Sequence, residues 1–250
     1  VSENAAYHHG EMSLQGAIIG MAQNFVGSNN IHLLEPNGQF GTRIMGGNDA
    51  ASSRYIHTEL HKITDVLFPS SDFPLLSYNE DDGILVEPKY YVPIIPMVLV
   101  NGTGGIGTGW SSNIPKFNPL DIIKNIKNLM NNRPLVDMVP WYRGYTGKIV
   151  KIDKNRWISR GVYKIIDGNT IEITELPIGV WTNNYKCFLD DMVMRIKSSP
   201  KKNRNFNKTV YNKRLTREQK QIEMMKRDST PRYLKDYSNE CSESKIKFTL

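Results

Sequence analysis

Five glycines lie within residues 102–109, directly after the apolar run of residues 90–100. Glycine lowers the stability of helix and strand interiors because it loses more conformational freedom on folding than any other residue. The segment therefore cannot form part of a long helix, and Pro93 and Pro96 restrict the preceding run to an edge or bulged strand. We expect these glycines to let a polymeric ligand approach the backbone closely.

Residues 102–107 also match the G-x-G-x-x-G pattern of dinucleotide-binding proteins, with Asp121 downstream as a candidate ribose ligand. That pattern binds a pyrophosphate only when its glycines open a helix inside a βαβ unit. Gly109 and Pro115 follow shortly afterwards, so the sequence predicts no long helix there, and no second βαβ half follows. A nicotinamide-dependent enzyme is the weaker alternative, and a helix after Gly107 would favour it.

Charge is distributed unequally along the chain, whose net charge is +7. Residues 1–140 contain 8 Lys and Arg against 13 Asp and Glu, whereas residues 141–250 contain 24 against 12. The basic second part is typical of proteins that bind a polyanion, either nucleic acid or an acidic membrane surface, although a merely solvated basic domain has the same composition. The eleven residues of 90–100 are too few to span a bilayer. Cys187 and Cys241 are too few for a disulfide framework or a zinc cluster, which favours a reducing compartment.

Periodicity and chain-breaking residues predict helices and strands on both sides of a boundary near residue 93. Residues 12–25 and 54–68 carry apolar side chains at helical spacing, and Ser52 or Ser53 can cap the second helix. Residues 70–89 are predicted to form an acidic loop. The elements expected in the second part are a strand at 90–100, a helix that begins at Asn118-Pro119, a meander at 147–152, 156–166 and 170–175, a helix capped by Thr182 that ends near 197, and a basic loop at 198–220 that leads into a helix.

Two short motifs contain residues suited to phosphate chemistry. Residues 7–11 (YHHGE) precede the first predicted helix, where backbone N–H groups and partial positive charge favour an anion. Adjacent histidines do not match zinc spacing, and a His pair is also common as a structural feature. Arg54 and Tyr55 also fit simple surface packing, but a tyrosine can attack phosphorus when an arginine stabilises the developing negative charge. All five histidines lie in the first 61 residues, so we expect the chemistry there and ligand binding downstream.

The order and spacing of these motifs resemble those of the type IIA DNA topoisomerases. The match covers most of the chain and becomes weaker after about residue 197. The matching stretches are residues 7–11, 22–30, 38–43, 46–56, 87–88, 93–102, 105–111 and 173–177. His8 and His9 are adjacent, without the proline found between them in bacterial gyrases, which is typical of the eukaryotic and large-DNA-virus branch.

The resemblance implies an α+β fold in two domains. A winged-helix (helix-turn-helix-like) domain at 1–93 would carry the nucleophile, and a mixed α/β tower domain at 94–250 would cradle DNA. The chain begins at Val1 without a methionine or a signal-peptide pattern, so we expect an internal part of a longer protein. By the resemblance, the ATPase domain, the metal-binding domain and most of the coiled-coil gate would lie elsewhere in that protein.

The resemblance also implies roles for individual side chains. Tyr55 corresponds to the active-site nucleophile, Arg54 to the arginine that stabilises the transition state, and His9 to a residue beside the scissile phosphate. The positions that correspond to DNA contacts are Tyr7, His8, Arg43, Asn101, Ile106 and Trp181. Among these, Ile106 would wedge between base pairs, and no metal ligand is implied within the chain.

The function implied by the resemblance is that of an ATP-dependent type II topoisomerase, which breaks a duplex, passes a second one through and reseals the break. Its partners would be double-stranded DNA and a second copy of the chain, with no membrane, and its location the nucleus, or host cytoplasm for a viral chain. Mg²⁺ and ATP would bind outside these 250 residues, so the chain alone would be inactive. The alternative is a non-catalytic winged-helix DNA-binding protein, which a covalent protein–DNA adduct would exclude.

Overall fold

The computed structural model describes residues 2–194 and 234–250, and these residues form a mixed α/β structure. Short elements predominate. The helices are α1 (Glu11–Ala22), α2 (Lys62–Leu67), α3 (Met97–Val100), α4 (Pro119–Met130) and α5 (Thr182–Met194), with 3-10 turns at Ser53–Tyr55 and Ser70–Leu75. Within the described ranges, no helix is long and apolar enough to cross a membrane.

The strands of the described residues pair in an antiparallel manner throughout. Three hairpins are formed by β1 (Tyr78–Asp81) with β2 (Ile84–Pro88), β3 (Thr103–Ile106) with β4 (Ser111–Ile114), and β5 (Lys148–Asp153) with β6 (Arg156–Arg160). A four-stranded sheet has the order β7-β8-β10-β9, formed by β7 (Val162–Ile165), β8 (Ile171–Glu175), β10 (Phe248–Thr249) and β9 (Ser238–Asn239). The C-terminal residues therefore complete a sheet that begins far upstream.

The first predicted helix is confirmed, although α1 ends at Ala22 rather than at residue 25. The backbone of Gln23 is extended, and its side-chain amide donates hydrogen bonds to the carbonyls of Phe40 (3.0 Å) and Gly47 (3.2 Å). Ala22 packs with Phe40 and Ile56 in a small buried cluster. Gln23 thus ends the helix by joining it to the loop that follows residue 39.

The second predicted helix is largely wrong, because α2 begins only at Lys62. Residues 33–37 and 57–61 instead form an irregular antiparallel ribbon, in which His57 and Asn37 exchange backbone hydrogen bonds of 3.0 and 3.1 Å. The apolar side chain of Ile56 packs in the buried cluster with Ala22 and Phe40, and it is not part of the apolar face of a helix. Long-range pairing here outweighs the local helical spacing of the apolar residues.

Two further predictions between residues 70 and 100 are wrong. The acidic loop contains a 3-10 turn and the β1–β2 hairpin, whose turn is Asp82-Gly83 with positive φ at both positions. Asp-Gly is the preferred sequence of such a turn, so the signal was present in the sequence. The predicted strand at 90–100 is instead a non-strand segment that ends in the short helix α3, with Pro96 immediately before it.

Predictions for the second part are mostly confirmed. Helix α4 begins at Pro119, and the side chain of Asn118 accepts a hydrogen bond from the backbone N–H of Leu120 at 3.0 Å. The meander is present, but residues 156–166 divide at Gly161 into two strands that belong to different sheets. Helix α5 begins at Thr182, whose hydroxyl is buried and has no hydrogen-bond partner among the described residues, so it does not act as the predicted cap. The predicted end near 197 and the basic segment 198–220 lie outside the described residues.

Two larger apolar clusters stabilise the rest of the molecule. One joins α2, α3 and α4 around the buried residues Leu67, Ile95, Val100 and Ile122. The other packs α5 on the four-stranded sheet around the buried residues Leu176, Leu189, Leu234, Ile246 and Phe248.

Candidate active site

Tyr55 is the last residue of the 3-10 turn and lies next to a buried residue. Ile56, the next residue, is buried with Ala22 and Phe40. The Tyr55 side chain, by contrast, is directed outward, and 72% of its surface is exposed. A phenol in this position is accessible to a large ligand.

Arg54 places a cation directly beside this phenol. Its guanidinium carbon lies 5.6 Å from the centre of the Tyr55 ring, and its Nε donates to the Ser52 hydroxyl at 3.4 Å. Both side chains are exposed. An arginine has five N–H donors in a planar fork, so this one has donors to offer a phosphate that approaches Tyr55.

A chain of hydrogen bonds joins the Tyr55 turn to the beginning of α1. The Ser53 hydroxyl donates to Gln15 Oε1 at 3.0 Å, and Gln15 Nε2 donates to Glu11 Oε1 at 2.7 Å. The prediction did not include Ser53 or Gln15. The i, i+4 spacing of Glu11 and Gln15 on one helix is the signal that could have identified the second bond.

The histidine motif lies at the same helix N-terminus, immediately before Glu11. The Tyr7 and His9 rings meet edge to face with their centres 5.4 Å apart, and His8 Nε2 lies 3.7 Å from a carboxylate oxygen of Asp81. Both histidines are exposed. The bonds through Glu11 and Gln15 therefore bring the two sequence motifs to one region, although no hydrogen bond in the described part of the chain links His9 to Tyr55.

Arg43 is enclosed within the protein. Its side chain is only 4% exposed and forms a buried ion pair with Glu175, and it donates a second hydrogen bond to the carbonyl of Leu176 at 3.0 Å. The guanidinium is enclosed and bonded to a carboxylate, so Arg43 joins residue 43 to the end of β8. The DNA contact of Arg43 stays a prediction beside this packing role.

Asn101 and Trp181 also hold segments of the protein together. The Asn101 amide exchanges hydrogen bonds of 2.8 and 3.0 Å with the backbone of Ile31. The Trp181 ring packs edge to face on Phe25 and lies against Gly46, where a side chain as small as methyl would collide with the indole. Both side chains are half-buried, and their DNA contacts stay predictions beside these packing roles.

Ile106 lies near the tip of the β3–β4 hairpin with 94% of its surface exposed. The hairpin closes by a hydrogen bond of 2.8 Å from the Gly107 amide to the carbonyl of Trp110, whose indole is 85% exposed. A strand, Ser111–Ile114, follows the glycines where a dinucleotide-binding fold would have a helix. The nicotinamide alternative is therefore wrong, and Trp110 is a second prominent apolar side chain that the prediction missed.

Acidic side chains near Tyr55 do not form a cation site. Asp49 accepts hydrogen bonds from the Thr42 amide (2.8 Å) and from the Thr42 hydroxyl, so its carboxylate is engaged within the loop. In residues 2–194 and 234–250, three metal-binding side chains come within reach of one ion only at His32, Glu35 and His61. The site around Tyr55 therefore lacks the cluster of oxygen ligands that Mg²⁺ prefers.

Comparison with known proteins identifies the family. A model of the family described as the A-type subunit of DNA gyrase/topoisomerase IV matches residues 1–229. The chain belongs to this family. Among curated relatives, DNA topoisomerase 2 of Saccharomyces cerevisiae is 58% identical over 189 residues, which are 76% of this chain and 13% of the relative. The probable DNA topoisomerase 2 of Dictyostelium discoideum is 52% identical over 197 residues, which are 77% of this chain and 13% of the relative.

Solved structures of topoisomerases give the same result. The crystal structure of the Plasmodium falciparum topoisomerase II DNA-binding, cleavage and re-ligation domain is 44% identical to this chain with a TM-score of 0.81. The match covers 99% of this chain and 29% of the solved chain. These findings confirm the resemblance to eukaryotic type II topoisomerases, while the chain spans 13% of the length of the curated topoisomerases it matches.

Proposed function

We propose that this chain is part of a type II DNA topoisomerase and that Tyr55 is its DNA-cleaving nucleophile. The observation that carries the proposal is the exposed Tyr55 phenol beside the Arg54 guanidinium, whose carbon lies 5.6 Å from the ring centre. Family membership and the names of the relatives support the same activity.

The proposed reaction is a transesterification at a DNA phosphodiester. The Tyr55 oxygen attacks phosphorus and forms a new P–O bond, while the bond from phosphorus to the 3′ oxygen breaks. The phenolic proton is lost and a proton is gained by the departing 3′ oxygen, so the products are a 5′-phosphotyrosyl link and a 3′-hydroxyl. Because one ester replaces another, resealing is the reverse reaction and consumes no cofactor.

Arg54 and His9 neutralise charge during this step. The Arg54 fork can donate two hydrogen bonds to phosphoryl oxygens, which a single-point cation cannot do. His9 can donate a ring N–H to a phosphoryl oxygen, and the N-terminus of α1 adds positive potential that attracts anions. The Ser53–Gln15–Glu11 hydrogen bonds support this by holding the Tyr55 turn against α1.

We propose that the two parts of the chain have different roles. Residues 1–93 form a winged-helix domain with the chemistry, and residues 94–250 form a tower domain that holds the duplex. Tyr7, His8, Asn101 and Trp181 contact the DNA backbone, while Ile106 inserts at a base step. Residues 141–250 contain 24 basic and 12 acidic residues. This excess of positive charge supports a DNA-binding role for the second part.

Cofactors and partners follow from the same proposal. The side chains near Tyr55 do not fit a Mg²⁺ site, so we place the Mg²⁺ ligands, and likewise the ATP site, in other parts of a longer protein. Two copies of the chain act together, since one tyrosine cuts one strand. The eukaryotic relatives support a nuclear location.

The proposal is tested by replacing Tyr55 with Phe in the full-length protein. Tyr55→Phe keeps the ring but removes the nucleophilic oxygen, so DNA affinity stays and covalent linkage to end-labelled duplex disappears on a denaturing gel. Tyr90→Phe is the matched control, because Tyr90 is exposed to a similar degree (68%) and carries no proposed role. An adduct formed by Tyr55→Phe would show that another residue is the nucleophile, and DNA binding without any adduct in the parent would favour the non-catalytic alternative.

A further inference from the structure

His32, Glu35 and His61 converge at one end of the ribbon formed by residues 33–37 and 57–61. One ligand atom from each side chain lies within 4.8 Å of the others, and the two imidazole rings are 4.6 Å apart, edge to face. This cluster has no part in the proposed cleavage reaction. Tyr55 lies beyond the opposite end of the ribbon, two residues before His57, which pairs with Asn37.

The backbone around the cluster is fixed by hydrogen bonds that do not depend on the three side chains. The amide of His61 donates to the carbonyl of Leu33 at 3.0 Å, and the amide of Glu35 donates to the carbonyl of Glu59 at 2.8 Å. Next to His32, the buried Asn30 amide donates to the carbonyls of Val100 (2.9 Å) and Trp141 (3.0 Å). The side chains are therefore presented by a scaffold that is already ordered.

His32 contains a buried nitrogen without a partner. The residue is only 8% exposed, and its Nδ1 has no hydrogen-bond partner in the described part of the chain. A buried polar atom without a partner is costly, so such atoms in native proteins normally meet a ligand, an ion or a water molecule. Burial, with His61 and Arg143 nearby, lowers the pKa of His32 despite the opposing effect of Glu35.

The spacing of the other two ligands fits a small ion. His61 Nε2 lies 3.5 Å from Glu35 Oε1. Two ligands at about 2.1 Å from one tetrahedral ion are separated by about 3.4 Å. Two imidazoles with one carboxylate select zinc-like transition metals, whereas Mg²⁺ selects oxygen ligands.

We propose that His32, Glu35 and His61 bind one zinc-class divalent ion, with water completing a tetrahedral shell. The ion would brace the ribbon that leads to Tyr55 at the end opposite the chemistry. Neither the cleavage proposal nor its Mg²⁺ requirement depends on this site.

Binding has a specific structural cost at His61. Its Nδ1 accepts a hydrogen bond from the Ile63 amide at 3.0 Å and so caps α2, which places the proton of the neutral ring on Nε2. An ion on Nε2 moves that proton to Nδ1, and the Ile63 amide then loses its acceptor. Metal binding is therefore linked to the first turn of α2, and this link gives a readout independent of any enzyme activity.

The test is a metal titration of the full 250-residue chain after dialysis against a chelator. Calorimetry with Zn²⁺ is expected to give one ion per chain, and Co²⁺ to give the intense visible absorption of a tetrahedral site that Zn²⁺ abolishes. Glu35→Gln and His61→Gln should each weaken Zn²⁺ binding by more than about tenfold, since even outer-shell changes reach that range. Hydrogen exchange at the Ile63 amide should become faster when Zn²⁺ is added to the parent.

His57→Gln is the matched control, because His57 lies on the same ribbon but is exposed and outside the cluster. It should bind Zn²⁺ as the parent does. Glu35 is only partly buried, so Glu35→Gln keeps the test valid even if a variant at the buried His32 fails to fold. Absence of Zn²⁺ binding in the parent, unchanged binding in Glu35→Gln and His61→Gln, or equal loss in His57→Gln would overturn the proposal.

Discussion

At the scale of single residues, two arginines eleven positions apart in the sequence have opposite environments. Arg54 is exposed beside Tyr55, whereas Arg43 is enclosed with Glu175. Arginine suits both places, since the same fork can stabilise a transient phosphoryl charge or a permanent buried carboxylate. The two environments predict different measurable effects of substitution.

Substitution of Arg54 should affect catalysis and leave the fold intact. We expect Arg54→Ala in the full-length protein to slow DNA cleavage about 10²–10³-fold, as for loss of one preorganised donor to a developing oxyanion. Arg54→Lys should restore only part of the rate, because an ammonium lacks the two-donor fork. Single-turnover cleavage of labelled duplex measures both rates, and equal rates for Lys and Arg would show that Arg54 only packs on Tyr55.

Substitution of Arg43 should affect stability instead. Arg43→Gln leaves the Glu175 carboxylate buried without its cation, which typically costs about 3–5 kcal/mol. Urea unfolding of the purified chain measures the loss, and Arg54→Gln serves as an exposed control expected to stay within about 0.5 kcal/mol. If Arg43→Met combined with Glu175→Leu regains stability, the loss came from the unpaired charge; if both arginines give the same small change, the buried pair is not stabilising.

The sequence indicated which residues are candidates for the chemistry, but not the surroundings of those residues. The motif at Arg54 and Tyr55 is local, so the type and order of the residues carried the information. The burial of Arg43 depends on Glu175, which is 132 positions away and enters only through the fold. No local pattern distinguishes an arginine that meets DNA from one that meets a distant carboxylate.

At the scale of elements, local signals and long-range pairing gave different results. Helix α4 has a proline at its first position and an asparagine cap, and both act within one turn, so its start was predictable. Residues 56–61 have helical spacing but pair with residues 33–37, and that contact is not visible locally. The Asp82-Gly83 turn, by contrast, was a readable local signal.

The β3–β4 hairpin gives the sharpest prediction at this scale. Ile106→Ala should leave the free energy of unfolding within about 1 kcal/mol, because the side chain is 94% exposed and has little packing to lose. The same change should reduce DNA bending, since an inserted apolar wedge drives the kink at a base step. Energy transfer between dyes at the two ends of a short duplex reports the bend in the full-length protein.

Ile84→Ala is the control for this experiment, because Ile84 is an exposed isoleucine on a different hairpin. It should bend DNA as the parent does. A variant of Ile106 that unfolds would indicate a packing role, and one that bends DNA normally would exclude the wedge.

At the scale of the whole molecule, charge and core are organised separately. Three buried apolar clusters lie in different parts of the described chain. The excess of basic residues, by contrast, is confined to residues 141–250. The amino-acid composition alone showed this unequal distribution of charge. Net charge gives information about association with partners rather than about fold. The positions of the cores depend on strands such as β10, which joins the sheet from the far end of the chain.

We expect the 250-residue chain to bind duplex DNA in a salt-dependent way without cutting it. Lys and Arg contacts release counterions, so log K should fall linearly with log salt concentration, which fluorescence anisotropy measures. Supercoiled plasmid with Mg²⁺ should stay intact, since the side chains near Tyr55 do not form a cation site. Salt-independent binding, or Mg²⁺-dependent nicking by the chain alone, would contradict this expectation.

The hydrogen bonds of the Glu175 carboxylate limit which substitutions are tolerated at positions 43 and 175. Its Oε2 accepts from the amide (3.2 Å) and hydroxyl (3.0 Å) of Thr146, and its Oε1 accepts from Arg43 and from the Leu176 amide at 2.9 Å. A glutamine at position 175 would direct its NH₂ group, a hydrogen-bond donor, toward groups that are themselves donors. A shorter side chain would leave several of these donors without an acceptor. We therefore expect positions 43 and 175 to change jointly or not at all across orthologues.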